Sequence, residues 1–258
     1  MVSASPVRSF KIDNLEIKVY DSSIQLGQAA AHVVSKKLQE SIVRRNEAKL
    51  ILATGASQFD FLEAFKKDKL VDWSRVTVFH LDEYEGISID HPASFRKYLK
   101  ERILDEVKPS RVHFLEGDSK SPESEVIRYE TLLKSNEIDV ACIGIGENGH
   151  IAFNDPPVAD FSDPKLVKVV ELDDACKRQQ WQEGWFVSLE DVPKTALTLT
   201  IPAIMKSNFI SCVVPDSRKA NAVQLAIRGP IEAACPASIL RKHAHAVLYL
   251  DQDSASML

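Results

Sequence analysis

Residues 138–157 read IDVACIGIGENGHIAFNDPP. The apolar run 138–145 enters a loop punctuated by Gly144, Gly146 and Gly149, and this loop packs Glu147, Asn148, His150, Asn154 and Asp155 into nine residues before Pro156-Pro157. A short continuous apolar run predicts a strand buried on both faces, as parallel strands are. The polar loop after it falls where an open α/β sheet places its ligand, outside the carboxyl ends of the strands. Gly144-x-Gly146-x-x-Gly149 formally matches a dinucleotide fingerprint, with Glu171 near the place of a ribose-binding acid. That reading fails, because the last glycine must open a helix and the double proline that follows is not tolerated in a helix interior. What remains is an imidazole with carboxylate and amide neighbours, a set suited to proton transfer near neutral pH.

The same apolar pattern recurs on both sides of this stretch, predicting strands at 15–20, 49–53, 76–81, 112–115, 138–145, 166–172, 209–214 and 246–250. Helical spacing lies between them. Residues 22–44 carry Ile24, Ala30, Val33, Val34, Leu38 and Ile42 on one stripe behind a capping Asp21. Residues 93–104 follow Pro92, Ser121-Pro122 opens a third helix, and Asp216 opens a fourth that stops at Gly229-Pro230. Strands alternating with helices predict a mostly parallel open sheet in three layers, a Rossmann-like α/β fold, with residues 1–258 as a single domain. A chain of this length needs no staples, since roughly 250 to 300 residues bury about three quarters of their unfolded surface.

Three other segments follow strands. In 50–65 a strand runs into Thr54-Gly55-Ala56-Ser57 and a helix, where backbone N–H groups and the helix dipole favour an anion; alone, the same turn reads as a tight connection with Ser57 as N-cap. At 76–84 an apolar strand delivers Asp82-Glu83-Tyr84, three ionisable groups expected to face a ligand rather than to pack, with acids solvating a loop as the alternative. A partly desolvated carboxylate there has its pKa raised toward the range of a general base. At 209–229 a strand turns at Pro215 into a helix whose first turn holds Arg218 and Lys219. Cations oppose the dipole there, and a bound phosphate would account for them.

Composition narrows the classes. With 32 basic and 37 acidic side chains, net charge −5 and a pI near 5.8, duplex nucleic acid is not the expected partner. Cys142, Cys176, Cys212 and Cys235 are too dispersed for a zinc ribbon or redox pair and suit a reducing cytoplasm. The start, MVSASPVRSFKID, has no apolar region of the export type, and no apolar run is long enough to span a membrane. The balance is compatible with a homo-oligomer and does not require one.

Taken in order, the four segments resemble the glucosamine-6-phosphate deaminase (isomerase) family, which shares a fold with the 6-phosphogluconolactonases. The resemblance runs from about residue 50 to 250, through D-E-Y-x-G at 82–86, G-x-G-x-N-G-H-I-A-F-N-D-P at 144–156, PKTALTLTIPAIM and Ser-Arg-Lys-Ala at 217–220. It implies Asp82 as the enolising base and His150 as the ring-opening acid and base, tuned by Asn148 and Asp155. It further implies Thr54, Gly55, Ala56, Ser57 and Gly146 along the substrate and phosphate side, with Lys219 on the phosphate, and neither metal nor cofactor. The activity implied is conversion of glucosamine 6-phosphate to fructose 6-phosphate and ammonia, an isomerisation with hydrolytic loss of the amine.

This sequence departs from the family pattern at four places. Asn148 stands where aspartate is frequent, and Asp155 where glutamate is usual. The family's phosphate arginine aligns with Gln182, leaving Lys177 or Arg178 to substitute from a turn away. The chain ends soon after Asp251, so the resemblance implies no allosteric extension. A 6-phosphogluconolactonase, which needs no base at residue 82, is one alternative. A non-catalytic sugar-phosphate sensor is another, although 14 residues before the first predicted strand leave little room for a DNA-binding module.

Overall fold

The computed structural model describes residues 5–258; the first four residues of the export-signal reading lie outside them. Eight strands form one sheet in the order β1-β2-β11-β10-β7-β3-β4-β6. They are β1 Arg8–Ile12, β2 Leu15–Tyr20, β3 Ala48–Leu52, β4 Val76–His80, β6 Arg111–His113, β7 Val140–Ile143, β10 Phe209–Val214 and β11 Ala246–Asp251. Only β1 and β2 pair antiparallel; every other neighbour in this sheet is parallel. The chain is thus α/β, with a mostly parallel eight-stranded sheet.

Successive side chains on a strand point to opposite faces, and the core divides accordingly. Ile51, Phe79, Ala141, Ile143, Ile210, Cys212 and Leu248 face one layer, which includes helix α5 Pro122–Lys134 and helix α7 Ala220–Arg228. Leu50, Leu52, Val78, Val140, Cys142, Val213 and Tyr249 face the other, under α1 Ser23–Arg45 and α2 Phe59–Phe65. Gly27 lets α1 and α2 touch, since a Cβ there would come within 2.7 Å of the Asp60 backbone. No helix among the described residues is long and apolar enough to cross a membrane.

A second sheet positions the site. β5 Asp82–Tyr84, β9 Thr195–Leu199 and β8 Val167–Glu171 pair antiparallel in the order β5-β9-β8. The run 166–172 therefore belongs to this small sheet and not to the parallel one. Only Leu81 separates β4 from β5, which fixes Asp82 at the seam between the two sheets. Three strands escaped the sequence reading. β1 is short and half polar, and it occupies part of the 14 residues taken as preceding the first strand. β5 is entirely ionisable, and β9 lies in the PKTALTLTIPAIM stretch, bounded by Pro193 and Pro202 but read from the sequence only as a family motif.

Helix starts also move. Ser22, not Asp21, caps α1 by accepting from the Gln25 amide at 3.3 Å, and Ile24 is exposed. The helix expected from 93 begins at Phe95, capped by Ser94. It runs as α3 Phe95–Leu99, a π turn Lys100–Leu104 and α4 Asp105–Val107.

His80, at the end of β4, is fully buried and neither ring nitrogen has a hydrogen-bond partner. Burial, then the charge of Arg96, pushes its pKa down to about 3. Between that value and the ordinary 6.5 the unfolded chain binds the proton and the folded chain does not, so stability falls as pH drops through this window. At pH 5 the loss amounts to about 2 kcal/mol. Denaturant titrations between pH 7 and 4.5 are expected to give a shallower acid slope for His80→Phe than for the native chain. Equal slopes would remove His80 as the cause.

Candidate active site

The carboxyl ends of β3, β4, β7 and β10 open onto one cavity. It is lined by the Thr54, Gly55, Ala56 and Ser57 turn, by Asp82, by Gly146 and His150, and by Lys219. Gly55 takes φ 97°, a conformation only glycine adopts without strain, and Tyr98 donates to its carbonyl at 2.8 Å. Ser57 does not cap a helix; it sits inside the 3-10 turn Ala56–Gln58 that leads into α2.

The three ionisable residues of β5 have three fates. Asp82 lines the cavity at 6% exposure, and burial, then the neighbouring Glu83 charge, raises its pKa well above the ordinary carboxyl value. Glu83 instead holds the start of α3. Its carboxylate accepts from Ser94 Oγ at 2.9 Å, the Phe95 and Arg96 amides at 3.1 and 3.0 Å, and Arg96 Nε at 3.2 Å. Tyr84 packs among Phe95, Phe153 and Phe186 and donates its hydroxyl to Gln180 Oε1 at 2.7 Å. Glu83 and Tyr84 are therefore structural, against the expectation that all three face a ligand.

His150 is placed by its loop. Its ring lies against Gly146, where a Cβ would stand under 3.0 Å from imidazole Cε1, Nε2 and Cδ2. On the far side Nδ1 sits 2.7 Å from Asp155 Oδ1, which leaves Nε2 for the cavity. Burial by itself would raise Asp155; the bonds from His150, Asn148 and the Asp173 amide, with the His150 charge, outweigh it and hold the carboxyl below its usual range. Asn148 and Asp155 do not line the cavity and support the histidine from behind. Asn154, the other amide of the loop, is fully buried and donates to the carbonyls of Ile151 and Leu199, fastening the loop to β9.

Asn148 links this pair to helix α6 Asp174–Gln182. Its Nδ2 donates to Asp155 Oδ1 at 2.9 Å and to Asp173 Oδ2 at 3.1 Å, and its Oδ1 accepts from the His150 amide at 3.0 Å. Asp173 is the N-cap of α6. Asparagine at 148 is thus a donor between two carboxylates, a part an ionised aspartate cannot play. Asn148→Asp would carry a folded-state pKa raised by two like charges, so its penalty grows as pH rises. We expect a loss of about 1 to 3 kcal/mol at pH 8, shrinking toward pH 5. A melting-temperature difference from the native chain that does not shrink as pH falls across that range would refute it.

Helix α6 turns a different face to the cavity from the one expected. Gln179, Gln180 and Glu183 line it; Gln182, Lys177 and Arg178 do not. Lys177 pairs with Asp174 at 2.8 Å, and Arg178 and Gln182 are exposed. The phase is set by Cys176, buried against Asp155, whose i+3, i+4 and i+7 neighbours are these three residues. That spacing was a usable sequence signal. Ligand atoms of His150, Asp155 and Cys176 lie within 4.8 Å of one another. With His150 and Asp155 in direct contact at 2.7 Å, a tetrahedral zinc, which spaces its N and O donors roughly 3.3 Å apart, would have to separate them. The trio is a close His150–Asp155 pair with the buried Cys176 thiol beside it.

Comparison with known proteins identifies the family. A family model described as glucosamine-6-phosphate isomerases/6-phosphogluconolactonase matches residues 21–249. The chain belongs to that family. Within the family it is 37% identical to a glucosamine-6-phosphate deaminase of Exiguobacterium sibiricum over 236 residues, 91% of each chain. It is 35% identical to one of Bacillus thuringiensis over 86% of this chain and 82% of that one. Among solved structures, a monomeric glucosamine-6-phosphate deaminase superposes with a TM-score of 0.86 at 31% identity, over 94% of this chain and 99% of that one. A Shewanella baltica 6-phosphogluconolactonase, at 19% identity and TM-score 0.77, covers 94% of this chain and all of its own and shares the fold.

Proposed function

We propose that this family member is a glucosamine-6-phosphate deaminase, converting that substrate to fructose 6-phosphate and ammonia. The observation that carries the reading is that Asp82, His150 and Lys219 line one cavity. His150 Nε2 passes the proton of the anomeric hydroxyl to the ring oxygen, which opens the sugar, while Asp155 steadies the imidazolium. Asp82 then takes the proton from C2, and an enolamine forms as the aldehyde oxygen is protonated. Return of the proton to C1 leaves an iminium at C2, water adds there, and ammonia departs. The reaction is therefore an isomerisation that consumes one water. Lys219, 3% exposed, and the turn 54–57 receive the phosphate.

Burial lowers the Lys219 pKa, and the charges of Glu183 and Glu147 pull it back up. An arriving phosphate adds to that pull. The test is ammonia and fructose 6-phosphate release from glucosamine 6-phosphate by purified protein; none at high enzyme concentration would sink the reading. Lactone hydrolysis is the weaker reading, because it leaves the buried, proton-hungry Asp82 without a task. A glucosamine-6-phosphate deaminase of known structure is described as monomeric, and the residues named for this cavity all come from one chain. Four free, buried cysteines suit a reducing compartment such as the cytoplasm.

A further inference from the structure

Among the described residues, the cations that line the cavity are Lys219 and Arg218; α6 presents two amides and a carboxylate instead. Arg218 is preset. Its Nε and Nη2 donate to Asp216 Oδ2 at 3.0 and 2.8 Å, which fixes the plane of the guanidinium. Its Nη1 lies 3.4 Å from Glu147 Oε1, and the same oxygen lies 3.9 Å from Lys219 Nζ. Glu147 Oε1 is buried with no hydrogen-bond donor of its own. A single anionic oxygen thus stands within reach of both cations from outside the cavity lining, so an anion bound in the cavity competes with it for them.

The backbone supports this arrangement. Asp216 holds φ 88°, unusual for a residue with a side chain, and its amide donates to the Asp251 carboxylate at 3.1 Å. Strain of this kind persists where surrounding structure enforces it. A guanidinium keeps donors to spare after a two-point contact with one carboxylate, so Arg218 can turn Nη1 to a ligand without leaving Asp216.

We propose that Arg218 is the second anion-holding side chain of this site and that Glu147 is the internal counter-ion which the substrate's phosphate displaces. The proposal rests on the sugar-phosphate reading and supplies the cation that α6 lacks. Steady-state kinetics with glucosamine 6-phosphate and calorimetric titration with inorganic phosphate test it, on the native chain and on Arg218→Gln, Arg218→Lys and Glu147→Gln. Arg218→Gln should raise KM and the phosphate Kd by about tenfold or more, with kcat changed less than about threefold. Arg218→Lys should fall between. Glu147→Gln should tighten phosphate binding by about threefold or more, a gain that a merely structural role would not produce.

Unchanged KM and Kd in Arg218→Gln, or weaker phosphate binding in Glu147→Gln, would overturn the proposal, as would a native chain that binds no phosphate. If the native chain releases no ammonia but its phosphate affinity follows the expected order, the deaminase reading falls and the role of Arg218 stands.

Discussion

Asp82→Asn is expected to lower kcat for ammonia release by about 10³-fold or more and to leave the melting temperature equal or higher. A positioned general base contributes roughly 10² to 10⁴ in rate, and the amide keeps the shape of the carboxylate while losing its basicity. Asp82 lies at the seam of two sheets with little solvent, so its ionised form has lost hydration that the protein replaces only in part. Removing that charge does not destabilise the fold. The raised pKa also places the acid limb of the kcat/KM profile above the range of an ordinary carboxylate, with activity rising as Asp82 loses its proton. A variant with kcat within tenfold of the native chain would show that another group takes the C2 proton.

Gly146→Ala is expected to lower kcat by about 10²-fold or more with only a modest loss of stability. The added methyl would occupy space that the His150 ring already fills, so the imidazole must rotate out. That rotation breaks the 2.7 Å contact with Asp155 and aims Nε2 away from the substrate, and misplacing a catalytic group by 1 Å can cost about 10² in rate. Gly144→Ala is the matched control. A Cβ there meets only Gln58 Nε2, Ser57 Oγ and a carbonyl, none nearer than 3.3 Å, and small shifts of those side chains accommodate it. Native-like activity in Gly146→Ala would remove steric support of His150 as the reason for glycine at 146.

Much of this site is written locally in the chain. The segment 144–157 declares itself because glycine, histidine and paired prolines exclude the dinucleotide reading and leave proton transfer, and the cavity does gather Asp82, His150 and Lys219. What escaped depends on partners distant in sequence. Glu83 looks like a ligand-facing acid until the amides of Phe95 and Arg96 arrive 12 and 13 residues later. β5 carries no apolar residue apart from the tyrosine ring, and it becomes a strand only because β9 supplies the pairing. On α6 an alignment by position chose Gln182, whereas the buried thiol of Cys176 sets the phase and brings Gln179, Gln180 and Glu183 inward.

Asn148 gives the enzyme an architecture that resists modular redesign. Helix α6 carries one wall of the cavity and would be the natural segment to exchange when engineering a new sugar preference. Its capping residue, however, shares one amide with the carboxylate behind the histidine. A transplanted segment that carries its own cap at 173 would bring a new substrate wall and a disturbed support of the histidine together, and exchanges that include 173 would lose turnover before they gained selectivity. Residues 148, 155 and 173 should be varied in the same library as the helix.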